Sequence, residues 1–444
     1  MAKTYHTIYT VPSVKNQGFE MTVQPIQEGV VFQKDLPIEF EVNLTKDNKP
    51  FSDGEIVAYF KWNSKNMIWH QVLKLVDGKA KINFISEQCG FGNLHVLFYL
   101  DDKEVFEQLR GIAISPEMIQ RSYPRPLDFD DFWASKKKSL AIPFDVTYTT
   151  IDKSSHPHLH QSTHKSLLEK DISKVDIQDV QINCFEKGVS GILTRPKNRT
   201  PKSLPAILFV HGAGVKNCEP DRFVDEAAKG VMIFDINAHG IPNDMPKEWY
   251  KELGEHGALS EYHAIGRNDK NEFYFLNMFL RVKRALDFLK TLPEWDQKTL
   301  ITFGGSQGCA QACAGAYLDE DVSAFVGQIP AYGDLTGFLR GRTVNFSDWL
   351  KMGERGRFDK KILEVAPYFD VVNFTSNLKK EGLFCFGLLD QGCTPLVNYM
   401  PAKEHLGDTT VVFQSDCYHS VGPEGQSKSW NFIYEHIKKN NHNH

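Results

Sequence analysis

Cysteine is scarce in this sequence, and the cysteines present do not form a metal or redox motif. Eight of the 444 residues are cysteine, and no two of them make a C-x-x-C pair. Disulfide-held scaffolds need a far denser set, and zinc ribbons and thioredoxin-like sites need the close pair. The sequence therefore excludes a disulfide scaffold and signals neither a zinc ribbon nor a redox site.

Long hydrophobic runs are also absent. No apolar stretch approaches the roughly 20 residues that cross a bilayer, so we expect no membrane span. The first ten residues, MAKTYHTIYT, lack the apolar segment of a signal peptide. Two locations fit this start: the cytoplasm, or the periplasm or exterior if Met1 and Ala2 replaced a signal peptide.

Charge of one sign is not in excess either. The sequence has 51 Lys and Arg against 56 Asp and Glu, a formal net charge of -5. Because nucleic-acid-binding proteins need a basic surface, we expect no nucleic-acid partner. Hydrophobic residues make up 41% of the chain and aromatic residues 12%, which predicts a globular protein with a sizeable core.

Two regions with different hydrophobic periods divide the chain. In the first, short alternating apolar runs are separated by turn residues. This pattern predicts an immunoglobulin-like β-sandwich over residues 1–113. The proline-containing stretch 114–126 predicts a linker. In residues 127–444, near-continuous apolar strands alternate with helical segments, which predicts a mainly parallel sheet flanked by helices.

The sequence GGSQG at residues 304–308 carries the strongest chemical signal. It follows an apolar strand candidate at 300–303 and precedes a stretch of small residues suited to a packed helix. This is the context of the G-x-S-x-G nucleophile elbow, in which glycines flank a strained turn that exposes the serine. Ser306 is therefore the predicted nucleophile of an α/β-hydrolase.

A serine hydroxyl becomes a good nucleophile when a histidine takes its proton and a carboxylate orients that histidine. In α/β-hydrolases these partners follow the serine in the order acid, then histidine. Asp390 and His419 satisfy that order, and each comes just after a predicted strand. Asp416 is a competing acid, but it shares a loop with the histidine. Ser306, Asp390 and His419 form the predicted triad.

The intermediate of ester hydrolysis needs two main-chain donors for its oxyanion. The first is the amide after the nucleophile, at Gln307. The second is predicted at Ala213, in the run HGAG at 211–214 that follows the strand candidate 205–210. Because a serine triad with this oxyanion hole needs neither a metal nor a cofactor, we expect none.

Several segments resemble the acetyl xylan esterase and cephalosporin-C deacetylase family of α/β-hydrolases. They are DFDDFW at 128–133, the stretch 275–330 around GGSQG, YFDVVN at 368–373 and GLLDQGCTP at 387–395. The resemblance implies a serine esterase that removes acetyl groups from carbohydrates such as xylan-derived oligosaccharides. It also implies the same triad, no metal, and an oligosaccharide or small-molecule ester as substrate.

The sequence departs from that family at several positions. Ala213 stands where the family usually has a tyrosine beside the acetyl group, Asn-Ala-His at 237–239 replaces R-G-Q, and Ser420 replaces the usual glutamate. The smaller residue at 213 predicts tolerance of propionyl or larger acyl groups. The N-terminal sandwich is extra relative to the simplest members, and we expect it to alter any homo-oligomer.

Residues 241–271 form an insertion where these folds carry a lid over the site. Trp249, Tyr250 and Tyr262 within it are candidates for stacking on a sugar ring, although a surface loop against the sandwich or a neighbouring subunit fits equally well. The histidines between 156 and 164 favour a solvent-exposed hairpin, although His156, His158 and His160 would share one face of an extended strand, which also suits a transition metal.

Two other functions stay open at this point. One is a peptidase of the prolyl-oligopeptidase type, although the first 113 residues are too few for the β-propeller of that group. The other is a catalytically silent carbohydrate-binding protein on a hydrolase scaffold, against which the complete Ser, Asp and His set argues.

Overall fold

The computed structural model describes residues 2–8, 14–62, 66–152, 167–185, 187–344 and 359–442. In chain order the strands of these ranges are β1 (Lys3–Ile8), β2 (Val14–Asn16), β3 (Phe19–Pro25), β4 (Val31–Phe32), β5 (Pro37–Lys46), β6 (Lys49–Pro50), β7 (Glu55–Trp62), β8 (Asn66–Lys74), β9 (Lys79–Ile85), β10 (Gly90–Leu100), β11 (Lys103–Ile114), β12 (Val146–Thr150), β13 (Val175–Ile182), β14 (Val189–Pro196), β15 (Leu204–Val210), β16 (Met232–Ile236), β17 (Trp295–Gly305), β18 (Ala324–Gln328), β19 (Glu381–Gly387) and β20 (Thr409–Gln414).

The α-helices follow mainly in the second half of the chain. They are α1 (Phe129–Lys138), α2 (Val224–Ala228), α3 (Lys247–Glu255), α4 (Tyr274–Thr291), α5 (Gln307–Leu318), α6 (Lys360–Phe369), α7 (Val371–Thr375), α8 (Pro395–Asn398), α9 (Met400–Glu404) and α10 (Gly422–His442). None of the helices within the described ranges is both long and apolar enough to cross a bilayer.

The N-terminal region forms a two-layer sandwich. One sheet has the order β4-β11-β10-β7-β8, and the other has β2-β3-β5-β6 with β9 paired to β5. Along β5 and β7 every second side chain is buried, because successive residues of a strand point to opposite faces. The inward residues of β5 are fully buried between the two sheets. The sandwich predicted from this alternation is confirmed.

The rest of the chain is organised around one ten-stranded sheet. Its order is β1-β20-β19-β18-β17-β15-β16-β14-β13-β12. Pairing is parallel from β1 to β16 and antiparallel from β14 to β12. Helices α4 and α5 pack on one face, and α10 covers an apolar cluster on the other. The predicted mainly parallel sheet between helices is confirmed.

Strand β1 differs from the sequence prediction. Residues 1–113 are predicted as sandwich, but β1 pairs in parallel with β20 and extends the ten-stranded sheet. Tyr5 Oη lies 2.8 Å from Tyr399 Oη, which adds a side-chain contact to the main-chain pairing. This pairing depends on a contact that is distant in sequence. Without β1, the strand β20 would be an edge strand with unpaired main-chain groups, and the short segment 3–8 pairs with them.

The sandwich and the large sheet share one hydrophobic core. The Phe91 ring of β10 contacts Tyr399 and Phe413 edge-on at centroid distances of 5.4 and 5.6 Å. The stretch 114–126, which stays a predicted linker, also packs on the second region, because Ser122 N donates to Asp334 Oδ1 at 2.8 Å. The histidine-rich run at 156–164 lies outside the described residues.

Candidate active site

Ser306 occupies a sharp turn between β17 and α5. Its main chain has φ 57° and ψ -123°, a conformation that costs a non-glycine residue on the order of 1–3 kcal/mol. Two hydrogen bonds hold it there: Ser306 N donates to Gln328 O at 2.9 Å, and Ser306 O accepts from Cys309 N at 2.9 Å. The strained turn therefore lifts the side chain above the carboxyl end of the sheet.

Gly308 is required by the close approach of α5 to β15. A Cβ at this position would overlap the Val210 carbonyl oxygen and lie 2.9 Å from the His211 carbonyl oxygen. A residue with a side chain here would push the first turn of α5 away from the sheet. The lack of a side chain at Gly308 thus lets the serine turn lie close to the end of β15.

The structure brings Ser306, Asp390 and His419 together. His419 Nε2 lies 3.2 Å from Ser306 Oγ, and His419 Nδ1 lies 2.7 Å from Asp390 Oδ2. The Asp390 side chain is 2% exposed and that of His419 is 43% exposed. One ring nitrogen therefore faces the hydroxyl and the other a buried carboxylate, which is the geometry needed to move a proton from the serine.

Asp390 is held independently of the histidine. Its other oxygen, Oδ1, accepts main-chain hydrogen bonds from Gly392 at 2.9 Å and Cys393 at 2.8 Å. A buried polar group without such partners would cost free energy, so these two donors stabilise the carboxyl group in its place. The competing acid Asp416 lies near the guanidinium of Arg110. Burial lowers the pKa of Arg110, and the charge of Asp416 has a smaller effect in the opposite direction.

The two predicted oxyanion donors come from the residue after the serine and from a loop that passes close to the serine turn. Gln307 is the first residue of α5, where main-chain amides point out of the helix and favour negative charge. Ala213 follows Gly212 in a segment we call the oxyanion loop (211–218). A Cβ on Gly212 would lie 3.2 Å from Gly305 O and 3.5 Å from Ser306 Cβ, so this loop passes directly over the nucleophile turn.

Cys393 is a neighbour of the site that sequence reasoning missed. Its Sγ lies 3.9 Å from Ser306 Oγ, and burial beside Asp390 raises the pKa of the thiol well above its usual range. Asp390, Cys393 and His419 present metal-binding atoms within 4.8 Å of one another. In this structure Asp390 and His419 are joined by their own hydrogen bond. The only sequence signal for Cys393 was its place three residues after the acid.

The three aromatic residues of the insertion have different surroundings. Trp249 is half-buried and packs edge-on against Tyr250 at 5.1 Å. Tyr250 is buried, and its hydroxyl donates to Pro242 O at 2.8 Å and accepts from Met245 N at 3.2 Å. Tyr250 is therefore a core residue of the insertion, which leaves no ring face for a sugar. Tyr262 is also buried, and its hydroxyl donates to Gln307 Oε1 at 2.7 Å.

The triplet 237–239 supports the oxyanion loop. Asn237 Nδ2 donates to Lys216 O, and Ala238 N donates to His211 Nε2 at 3.2 Å. His239 Nε2 lies 3.3 Å from Gly214 O. The three residues Asn237, Ala238 and His239, which stand in place of R-G-Q, thus each form a hydrogen bond with the oxyanion loop.

The sandwich contacts both loops that carry triad residues. Gly111 N donates to Ser415 O at 2.7 Å, and Ser415 Oγ donates back to Gly111 O at 2.8 Å. Leu388, two residues before Asp390, lies against Gly111 as well. Because Leu389 N donates to Cys417 O at 3.0 Å, the acid and histidine loops are also tied to each other.

We expect Gly111→Ala to lower kcat for an ester substrate more than its loss of stability explains. The new Cβ would overlap Leu388 Cβ and lie 2.8 Å from the Leu388 carbonyl carbon, so the acid loop must shift. Overpacking of this kind costs about 1–3 kcal/mol. Ile112→Ala is the matched control, because Ile112 is fully buried in the sandwich core. Equal kcat losses in the two variants, measured where both are folded, would contradict the expectation.

The sequence matches a family model over most of its length. The model of the acetyl xylan esterase (AXE1) family matches residues 118–436. A curated relative, acetyl esterase Axe7A of Xylanibacter ruminicola, is 28% identical over 297 residues. That match covers 65% of this chain and 62% of the relative, so the chain spans less than two thirds of the relative's length.

Two solved structures share the fold. One is an acetyl xylan esterase from Paenibacillus sp. R4, with a TM-score of 0.61 and 21% identity, and it covers 72% of this chain and 98% of that one. The other is acetyl xylan esterase 1 from Thermoanaerobacterium sp. JW/SL YS485, with a TM-score of 0.59 and 18% identity, covering 72% and 97%. The second region therefore has the α/β-hydrolase fold, preceded by a β-sandwich.

Proposed function

The chain belongs to the acetyl xylan esterase (AXE1) family. We propose that it is a serine esterase that removes acetyl groups from xylan-derived oligosaccharides. The observation that carries the proposal is the single imidazole that joins Ser306 Oγ at 3.2 Å to the buried Asp390 at 2.7 Å. This arrangement activates a serine for acyl transfer.

In the proposed first half-reaction, His419 Nε2 takes the proton of Ser306 as Oγ attacks the ester carbonyl. Asp390 keeps Nδ1 protonated and stabilises the imidazolium that forms. The amides of Gln307 and Ala213 donate to the oxyanion of the tetrahedral intermediate. The bond from the acyl carbon to the sugar oxygen then breaks as His419 gives its proton to that oxygen, which releases the sugar as an alcohol and leaves an acetyl group on Ser306.

In the second half-reaction water takes the place of the sugar. His419 Nε2 accepts a proton from water as its oxygen attacks the acetyl carbonyl, and the same two amides receive the second oxyanion. When this intermediate collapses, the proton returns to Ser306 Oγ and acetate leaves. The exposure of His419 supports this step, because its side chain is 43% exposed and within reach of water.

We expect the protein to release acetate from acetylated xylo-oligosaccharides, with Ser306→Ala inactive on the same panel. Mass spectrometry of a panel of acylated oligosaccharides would show which sugars lose acetyl groups. The mild net charge of -5 agrees with a neutral ester substrate. If the wild type removed no acyl group from any member of the panel, the proposed substrate class would be wrong.

A series of p-nitrophenyl esters tests the breadth of the acyl site. Ala213 is solvent-exposed and carries only a methyl group, which supports tolerance of propionyl or larger esters. In a p-nitrophenyl series from acetyl to butyryl, kcat/KM should therefore fall gradually. A sharp loss between acetyl and propionyl would show instead that other side chains close the acyl site.

A further inference from the structure

Tyr262 connects the insertion to both sides of the oxyanion hole. Its hydroxyl donates to Gln307 Oε1 at 2.7 Å, on the residue whose amide follows the nucleophile. The main-chain amide of Gly214, in the oxyanion loop, lies close enough to this hydroxyl to act on its pKa. That amide and Gln307 act to lower the pKa of Tyr262, which burial raises to about 12. The hydroxyl therefore stays protonated and can donate and accept at once.

His239 holds the same part of the loop from the other side. Its Nε2 lies 3.3 Å from Gly214 O, and its ring packs edge-on against Tyr262 at 4.5 Å. Burial lowers the pKa of His239 to about 3, so the ring is neutral. Because a carbonyl only accepts, Nε2 carries the proton, and Nδ1 accepts from Tyr274 Oη at 2.8 Å.

The peptide that carries the Ala213 amide is fixed by His211. Ala238 N donates to His211 Nε2 at 3.2 Å, which puts the ring proton on Nδ1. Nδ1 then donates to Gly212 O at 2.6 Å. Since the C=O and N–H of one peptide point in opposite directions, this bond directs the Ala213 N–H away from His211. Burial keeps His211 neutral by lowering its pKa well below the usual range.

We propose that the Tyr262 hydroxyl is a positioning group of the oxyanion hole. It links Gln307, which carries one donor amide, to the oxyanion loop, which carries the Ala213 amide. Acyl transfer is therefore fast only when the insertion is packed against the site. His211 and His239 hold the oxyanion loop through hydrogen bonds to its main chain. Of these three side chains, only Tyr262 belongs to the insertion. The proposal rests on the serine-esterase function proposed above.

Tyr250→Phe provides a matched control for Tyr262→Phe. Both tyrosines belong to the insertion, both are buried, and in both the hydroxyl that is lost donates one hydrogen bond. Among the residues that the structure describes, the partners of the Tyr250 hydroxyl are two main-chain groups of the insertion, Pro242 O and Met245 N. The two changes should therefore affect folding alike and the oxyanion hole differently.

The test measures kcat and KM for p-nitrophenyl acetate together with the rate of phosphonylation by a fluorophosphonate, whose oxygen occupies the oxyanion hole. We expect Tyr262→Phe to lower kcat and the phosphonylation rate in parallel by about tenfold, less than the loss of a direct donor, with KM nearly unchanged. Tyr250→Phe should leave all three close to wild type, with a similar shift in thermal midpoint.

A second variant checks that the effect passes through Gln307. Gln307→Leu keeps the main-chain amide and removes the acceptor of the Tyr262 hydroxyl, so it should lower kcat in the same way. The double variant should lose little more than either single one, because the two changes remove the same link.

The outcomes separate this inference from the function on which it rests. Equal kcat for Tyr262→Phe and Tyr250→Phe, or additive losses in the double variant, would overturn the positioning role in an active, Ser306-dependent esterase. Absence of Ser306-dependent turnover in the wild type would instead overturn the proposed function.

Discussion

Ser306→Ala is expected to reduce kcat for p-nitrophenyl acetate by about a millionfold, to the low turnover that an oxyanion hole alone sustains. The change removes the oxygen that lies 3.2 Å from His419 Nε2 and leaves the glycine turn unchanged. Stability should hold or rise slightly, since alanine removes no buried hydrogen bond essential to the fold. Steady-state kinetics and a thermal melt measure both quantities.

Ser139→Ala is the matched control for that experiment. Ser139 ends α1, and its hydroxyl donates to Lys136 O at 2.6 Å, far from the catalytic loops in sequence. We expect kcat of this variant to equal that of the wild type. Substantial turnover by Ser306→Ala beyond any trace of contaminating enzyme would mean that another group attacks the ester.

Asp390→Asn should lower kcat by about 10,000-fold while leaving the fold intact. The amide has nearly the same shape as the carboxylate, and its oxygen can still accept from the amides of Gly392 and Cys393. Its NH2 group would then face His419 Nδ1 and favour the tautomer with a proton on Nε2. That tautomer cannot take the proton of Ser306.

Asp416→Asn is the informative companion, because Asp416 is the other acid near His419 in sequence. Asp416 lies beside the buried Arg110 of the sandwich, so its loss should act mainly on stability. We expect kcat of Asp416→Asn to exceed that of Asp390→Asn by orders of magnitude. The reverse order would assign the orienting role to Asp416.

The nucleophile turn was predictable because its determinants are local. A strand, a GGSQG turn and a helix of small residues are adjacent in sequence, although the hydrogen bond from Ser306 N to Gln328 O comes from a more distant strand. Asp390 and His419 were predictable as candidates from strand order, since parallel strands end at the same edge of a sheet. Their catalytic roles stay a proposal, although the structure brings all three within hydrogen-bonding distance.

Features that depend on distant contacts could not be predicted. The β1 segment carries no sign that it pairs with β20, about 400 residues later. Nothing in the sequence around Gly111 shows that it meets Leu388 and Ser415. The antiparallel strands β12 to β14 were also missed, because the expected alternation of strand and helix starts only after them.

Aromatic residues were the hardest to interpret from sequence. Trp249, Tyr250 and Tyr262 share a polar insertion, and their composition fits sugar stacking, a lid or a surface loop equally well. The structure separates the two tyrosines by what their hydroxyls reach: Tyr250 bonds within the insertion, and Tyr262 bonds to Gln307. A hydrogen-bond partner across the fold, rather than the residue type, distinguishes the two.

Covalent labelling by a fluorophosphonate, followed by peptide mass spectrometry, tests the proposed serine mechanism most directly. The reagent reacts fastest with a serine that a neighbouring base activates. We predict a single adduct on the peptide that contains Ser306, formed more slowly as acetylated xylo-oligosaccharide is added, and absent in Ser306→Ala. Failure of the folded wild type to form an adduct, or an adduct on a different residue, would contradict the mechanism.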